Sequence, residues 1–366
     1  MKILKFGGSS VADSEKILNV VKIAKQKMLE TKTAIVVVSA LSGTTDELIN
    51  LANTAKSGKD YSVSLNNLKD RHILCLKEIS LYNLNSNSNL KDTENIVASL
   101  FNDLSQKLNG IKLLKEVSSK TLDTIVSFGE ILSSNIITFA FNISKSDNSE
   151  NTSATFIDAR NLIITDQSYG NAKVNFEITE KNINKFFENK FGIYVVTGFI
   201  ASSEDGETTT LGRGGSDYTA SIIGSALNVS EIEIWTDVSG LYTADPSIVK
   251  KAFPQNHVSY AEAMELSHFG AKVIYPPTIL PALNKDIPII IKNTYQPEAQ
   301  GTIISKQINK ERKTICGISS IKSISFLRLE GGGMVGIAGI SKRLFSALAD
   351  KKINVILITQ ASSEHT

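Results

Sequence analysis

Residues 208–220, TTTLGRGGSDYTA, gather a run of threonines, three glycines, an arginine and an aspartate just ahead of a helical pattern. Gly212, Gly214 and Gly215 let a backbone approach a ligand closely. Arg213 carries a planar fork that grips a carboxylate through two parallel bonds. Asp217 falls in the first turn of the following helix, where a carboxylate also compensates the helix dipole. Together these residues suit a loop that holds two anions, a nucleotide phosphate and a small acidic substrate.

Five other stretches carry related chemistry. In KFGGSS, a strand runs through Gly7, Gly8 and Ser9 into a helix, which aims backbone N–H groups at an anion. The spacing is neither that of a Walker A loop nor G-x-G-x-x-G. Alone, the two glycines make a tight turn. Lys5 adds an ammonium at the C-terminal end of a buried strand, where α/β sheets bind ligands, and it can neutralise a transferring phosphoryl group. VSALSGTTDEL crowds Ser39, Ser42, Gly43, Thr44 and Thr45 into one turn, more than helix capping needs. Ser39 and Thr45 can hydrogen-bond a small polar substrate. In SFGEILSS, Glu130 follows a glycine at an expected strand end and is either an acceptor for a substrate ammonium or a helix N-terminal carboxylate. WTDVSGLYTADPSIV offers Thr236 and Asp237 at a strand exit, Tyr242 to flank a planar base, and a turn at Asp245–Pro246. ELSHFGAKVIYPPTI offers Lys272, a solvated lysine if nothing else engages it. The histidines, His72, His257, His268 and His365, are scattered, so neither a zinc site nor a triad is expected.

Such loops need a rigid frame. Lys2–Phe6 reads as a first strand, and Ile17, Val20, Val21, Ala24 and Met28 mark one face of a helix. Short apolar runs recur as TAIVVVSA, TIVSF, ATFID, GIYVVTGFI, EIEIW and IPIIIKN, mostly separated by helical patterns. The expectation is an α/β fold, with a mostly parallel central sheet sandwiched by helices. NLNSNSN and NISKSDNSENTSA read as exposed loops, ASSEDGE as a polar hairpin, and SKQINKERKT as a linker. After it, CGISSIKSISFLRLEG, ISKRLFSALADKK and NVILITQ read as strand, helix and strand, a βαβ unit with uncovered edges and faces.

Composition narrows the class. The 366 residues are 42% apolar and 21% charged, with a net charge of +2, which gives no case for nucleic acid. Cys75 and Cys316 suggest reduced thiols rather than a disulfide framework. No signal peptide is visible and no run approaches the roughly 18 apolar residues of a membrane span, so a cytoplasmic protein is expected.

KFGGSSV, VVSALSGTTD, SFGEILSS, TTTLGRGGSDYTA, WTDVSGLYTADP and LSHFGAKVIYP follow one another in an order that resembles the aspartate kinases of the amino-acid kinase superfamily, over about residues 2–305. The stretch from GGGMVG to the end resembles the start of a regulatory ACT region, and LITQASSEHT is most like the bifunctional aspartokinase–homoserine dehydrogenases. The resemblance implies a catalytic domain at 1–305, a linker at 306–314 and an incomplete ACT-like unit at 315–366. It implies phosphorylation of the β-carboxylate of L-aspartate by ATP with Mg2+, the first step toward lysine, threonine and methionine. Lys5 and Lys272 would contact phosphates, Asp217 would organise the transfer, Arg213 would hold the substrate α-carboxylate and Glu130 its ammonium. Ser39 and Thr45 would be substrate-side hydroxyls. Gly7, Gly8, Ser9, Gly214, Gly215, Thr236, Asp237 and Tyr242 would line the nucleotide side. A homodimer, and threonine or lysine as regulator were the ACT region complete, are implied as well. The chain departs from the family pattern at Ser247, where DPR places an arginine, and at Tyr275 and Pro277, where many members read HPRT. An aspartate carboxylate, with a pKa near ~3.9, is already ionised and needs no general base. The alternatives are a glutamate-type kinase of the same superfamily and a non-catalytic amino-acid sensor.

Overall fold

The apolar runs of the sequence become, for the most part, the strands of one sheet. The computed structural model describes residues 1–82, 87–144, 153–268, 274–306, 315–330, 337–361 and 364–365. They divide into two compact units, Met1–Ser319 and Ser320–Thr366. The first unit opens with β1 (Lys2–Phe6), α1 (Ser14–Thr31) and β2 (Thr33–Val38). Four helices follow in succession: α2 (Thr44–Lys56), α3 (Ser62–Ser80), α4 (Asn87–Leu114) and α5 (Ser119–Ile143). Then come β3 (Ala154–Ile157), β4 (Ile164–Thr165), α6 (Phe176–Phe187), β5 (Gly192–Thr197), β6 (Ile200–Ser203), β7 (Thr208–Thr210) and α7 (Gly215–Ala226). The unit continues through β8 (Ile232–Thr236), β9 (His257–Ser259), α8 (Tyr260–His268), α9 (Leu280–Asn284), β10 (Ile289–Asn293) and β11 (Thr302–Ser305).

Eight strands form the main sheet in the order β3-β5-β2-β1-β8-β10-β11-β9. All neighbours pair in parallel except β10 and β11. β2 and β5 are buried along their whole length, as a strand covered on both faces must be. Alternation along the strands feeds two cores. Leu4, Phe6, Val36, Val38, Val195 and Trp235 pack with α1 to α5. Ile3, Ile35, Val37, Val196, Ile234 and Ile289 pack with α6, α7 and α9 on the other face. The result is the expected sandwich. Because side chains alternate, Lys5 projects to the same face as Ile3, toward α7.

Three local expectations differ from what forms. TIVSF is no strand but the middle of α5, a helix buried on nearly every side. Its flanking residues continue the apolar pattern in all directions, so no period separates strand from buried helix. α5 is also long and apolar enough to cross a membrane, against the expectation that no run is, yet 83% of its most apolar window is enclosed by the fold. GIYVVTGFI is two strands, β5 and β6, turned at Gly198 and at Phe199, whose φ is 67°. A small second sheet joins β4, β6 and β7, with β6 and β7 as an antiparallel hairpin around the ASSEDGE turn. Of the expected polar loops, 83–86 and 145–152 lie outside the described residues, and Asn87–Asn89 begin α4. Residues 307–314 of the expected linker also lie outside them.

In the second unit, β12 (Leu329–Glu330), α10 (Ile340–Asp350), β13 (Gln360–Ala361) and β14 (Glu364–His365) replace the expected parallel βαβ unit. The short strands pair antiparallel in the order β12-β14-β13. α10 buries none of its side chains, and Phe326, Val355, Ile356, Leu357 and Ile358 are exposed. Apolar runs without a layer to cover them gain little by pairing as strands.

The Phe6 and Trp235 rings stack at 5.8 Å and 19° beneath the loop that follows β1. Both are fully buried, and Trp235 is the chain's one tryptophan. Phe6→Ala is expected to cost about 3–5 kcal/mol, read by Trp235 fluorescence during urea unfolding. A change under about 1 kcal/mol would show that the stack is not part of the stabilising core.

Candidate active site

The C-terminal ends of β1, β2, β5 and β8 meet at one edge of the sheet. The strand ladders run on into the loops: Gly7 N–H donates to Trp235 O at 3.2 Å, Ser39 N–H to Phe6 O at 3.2 Å, and Gly198 N–H to Val38 O at 2.9 Å. β1 lies between β2 and the much later β8, so the chain's winding reverses there and leaves a crevice. A cavity of about 380 Å³ occupies it. Lys5, Gly8, Ser39, Thr45, Glu130, Gly214, Gly215 and Asp217 line it, brought from four separate stretches of the chain.

Three helix starts stand at the walls. α2 starts at Gly43 and α7 at Gly214, both in the left-handed conformation and both without a side-chain cap. The short 3-10 helix Gly8–Val11 starts at Gly7, again without one. The first N–H groups of a helix have no partner inside it, so these three ends present donors and positive dipole ends to the cavity. Capping by Ser42, Thr44 or Thr45, the plain explanation of that turn, does not occur.

Lys5 Nζ lies 2.6 Å from Asp217 Oδ1, and the two side chains are 11% and 12% exposed. The pair joins the end of β1 to the first turn of α7. Beside it the Ser39 hydroxyl donates to Ser216 Oγ at 3.0 Å, and the Ser133 hydroxyl donates to Ser39 O at 2.8 Å. Glu130 enters from the other side. Gly129 allows this, because a Cβ there would sit 2.9 Å from Ala40 Cβ, so a glycine is what lets α5 come this close to the loop after β2. Glu130 Oε1 accepts from Ala40 N–H at 3.3 Å, while Oε2 is buried with no partner. Burial pushes its carboxyl from the ordinary 4.5 up to about 8. An enclosed carboxyl with one unpartnered oxygen has the chemistry to accept from a donor or a cation.

Arg213 is exposed on the glycine loop, its guanidinium 5.5 Å from the centre of the Tyr275 ring. It does not line the cavity as drawn by the other residues. Thr236, Asp237 and Tyr242 stand apart too. Thr236 ends β8 and donates through its hydroxyl to Asp237 Oδ1 at 3.2 Å, while Tyr242 bridges to Pro254. Ser9 O accepts from the Tyr295 hydroxyl at 3.0 Å. Ser247 closes a turn on Asp245, donating through both its N–H and its hydroxyl to Asp245 Oδ1. Lys272 lies outside the described residues. Gly212, expected on the glycine loop, lines the cavity too, as do Phe199, Ser216 and Asp46, which were not singled out by residue type. Ser216 sits inside a quoted motif, whereas Phe199 carries no sequence signal. Among the described residues, no group of three His, Cys, Asp or Glu side chains could hold a metal ion.

A doubly wound α/β domain with an anion-directed crevice at the switch of its sheet is thus the class of the protein. The chain belongs to the amino acid kinase family, whose model matches residues 1–293, and residues 327–366 match the ACT domain. It is 35% identical to a bifunctional aspartokinase/homoserine dehydrogenase of Buchnera aphidicola, covering all of this chain and 44% of that one. It is 32% identical to the chloroplastic aspartokinase 1 of Arabidopsis thaliana, covering 99% of this chain and 62% of the relative. The chain therefore spans less than half the length of the bifunctional relative. Among solved structures, E. coli aspartokinase III in complex with aspartate and ADP is similar with a TM-score of 0.80 and 27% identity, over all of this chain and 78% of that one.

Between pH 4.5 and about 8, the folded chain keeps a proton on Glu130 that the unfolded chain has released. Stability from this group therefore falls as pH rises through that window. Glu130→Gln is expected to gain stability relative to the parent between about pH 5 and about pH 8, in urea midpoints. Parallel pH profiles for the two proteins would show that Glu130 titrates normally.

Proposed function

We propose that this chain phosphorylates the β-carboxylate of L-aspartate with ATP, giving 4-phospho-L-aspartate and ADP. One observation carries the reading: a single cavity joins a lysine–aspartate pair and uncapped helix ends, which suit phosphate, to a buried unpartnered carboxylate, which suits an ammonium. The names of the relatives support it, and the E. coli structure holds aspartate and ADP.

In this reading the substrate ammonium docks against Glu130 and returns it to its ionised form. Arg213 turns from Tyr275 to hold the α-carboxylate, and Ser39 and Thr45 bond the side chain. The β-carboxylate, ionised without help, attacks the γ-phosphorus. The new O–P bond forms as the bond to ADP breaks. The difficulty is the approach of one anion to another, and Lys5 with the helix-end amides offsets that repulsion in place. Asp217 keeps the Lys5 ammonium at the end of β1. Lys272 as a second phosphate contact, and Thr236, Asp237 and Tyr242 on the nucleotide side, rest on the resemblance. Mg2+ binds nucleotide phosphates with only one or two protein carboxylates, and Asp217 and Asp46 at the cavity provide such a donor set. When bound, the ion would spread the charge of the transferring group. A homodimer, regulation by threonine or lysine through the ACT-matched unit, and a cytoplasmic setting belong to the same proposal.

The test is ADP release with aspartate, and with glutamate as the comparison acid. Aspartate-dependent turnover is expected, and Lys5→Ala is expected to lower kcat by about 10²–10³ with an unchanged circular dichroism spectrum. Near-normal turnover in folded Lys5→Ala would remove Lys5 from the chemistry. Turnover with glutamate alone would reassign the substrate.

A further inference from the structure

Asp123 has no part in the steps above, yet it is only 3% exposed. It lies on α5 seven residues before Glu130, two turns along nearly the same face. Its Oδ2 accepts from the N–H of Gly170 and from that of Thr210, both at 2.9 Å. Its Oδ1 accepts from the Thr210 hydroxyl, also at 2.9 Å. Thr210 ends β7, and the glycine loop begins two residues later. On the other side of Thr210, its carbonyl accepts from Ala172 N–H at 2.9 Å. One turn earlier on α5, Lys120 pairs with Glu207, which also accepts from the Tyr169 hydroxyl. The start of α5 is thus stapled to the root of the loop that carries Arg213. The Leu211 N–H bond to Phe199 O, 2.9 Å, holds the same root, and α7 fixes the far end of the loop.

We propose that Asp123 is a positioning residue that sets the span between Glu130 and Arg213, and hence the length and pose of the amino acid held between them. The inference rests on the reading above, in which those two residues take the substrate's ammonium and carboxylate. A carboxylate suits the task because it accepts on both oxygens, and all three of its partners are donors. Asparagine keeps the shape and can hold both N–H bonds on its one oxygen, but it lacks the charge that strengthens them, and the Thr210 hydroxyl must turn round to accept from the amide nitrogen. A purely stabilising role would reduce the fraction of folded protein and leave the KM for aspartate where it was.

The test uses the whole chain, with Asp123→Asn and with Thr210→Val, which removes only the hydroxyl bond. KM for aspartate, KM for ATP, kcat and the thermal midpoint are measured for each. Asp123→Asn is expected to raise the aspartate KM by about tenfold while the ATP KM stays within about twofold. Thr210→Val is expected to move it in the same direction by less. Folded Asp123→Asn with an unmoved aspartate KM, or with both KM values raised alike, overturns the clamp. If Asp123→Asn does not fold, an unmoved aspartate KM in Thr210→Val overturns it. Absence of aspartate turnover in the unsubstituted chain overturns the functional reading, and this inference with it, whereas normal turnover with unmoved KM values overturns the clamp alone.

Discussion

A lysine ammonium held 2.6 Å from a carboxylate, both nearly out of water, is the interaction around which the crevice is arranged. Either charge alone in that position would be costly, and the pair removes most of the cost. It also settles the local field. The surrounding walls are N–H groups of uncapped helix starts, which together favour negative charge, and Asp217 is the protein's own anion among them. The sheet makes the meeting possible. Lys5 stands opposite Val37 and Ile234 in the parallel ladders, so its side chain leaves the sheet on the face where α7 packs through Ala220, Ile222 and Ile223. A slip of one residue in β1 would send the ammonium into the opposite core.

α5 supplies the other half of the site by an unusual route. Its residues are apolar on almost every side, and it is the most enclosed helix of the layer it occupies. Into this setting it carries Asp123 and Glu130. Asp123 meets three donors, and its carboxyl pKa is raised because burial outweighs them. Glu130 meets one backbone N–H and is raised further. The contrast separates a carboxyl satisfied by the fold from one with an oxygen left unpartnered, and strongly perturbed groups of the second kind cluster at functional sites in proteins.

Much of this is legible in the sequence. β1, β2, β5 and β8 are short apolar runs ended by glycine, serine or threonine; Lys5 lies in the first, Ser39 just after the second, and Thr45 and Asp217 in the first turns of α2 and α7. What escapes has a physical reason. TIVSF has strand composition but helical surroundings, and burial on all sides erases the period that would tell them apart. NVILITQ has the composition of a core strand, but among the described residues nothing covers it. Asp123 looks like an ordinary acidic residue near a helix start, because its partners are 47 and 87 residues away in the chain. Thr236 and Asp237 belong to the right strand end, but their hydroxyl–carboxylate bond is a neighbour contact that says nothing of a distant ligand.

The order of elements along the chain has a consequence for biosynthesis. α2 to α5 are consecutive, so Thr44 through Ile143 can collapse into a helical layer from contacts close in sequence, soon after they leave the ribosome. β1 finds β2 within the same early stretch. Its other partner, β8, begins at Ile232, and Ile3 pairs with that residue. Until Ile232 has been made, the central strand of the final sheet is therefore an edge strand with one row of amides unpaired. The nascent protein carries an open strand edge at its future centre until β8 arrives to cover it.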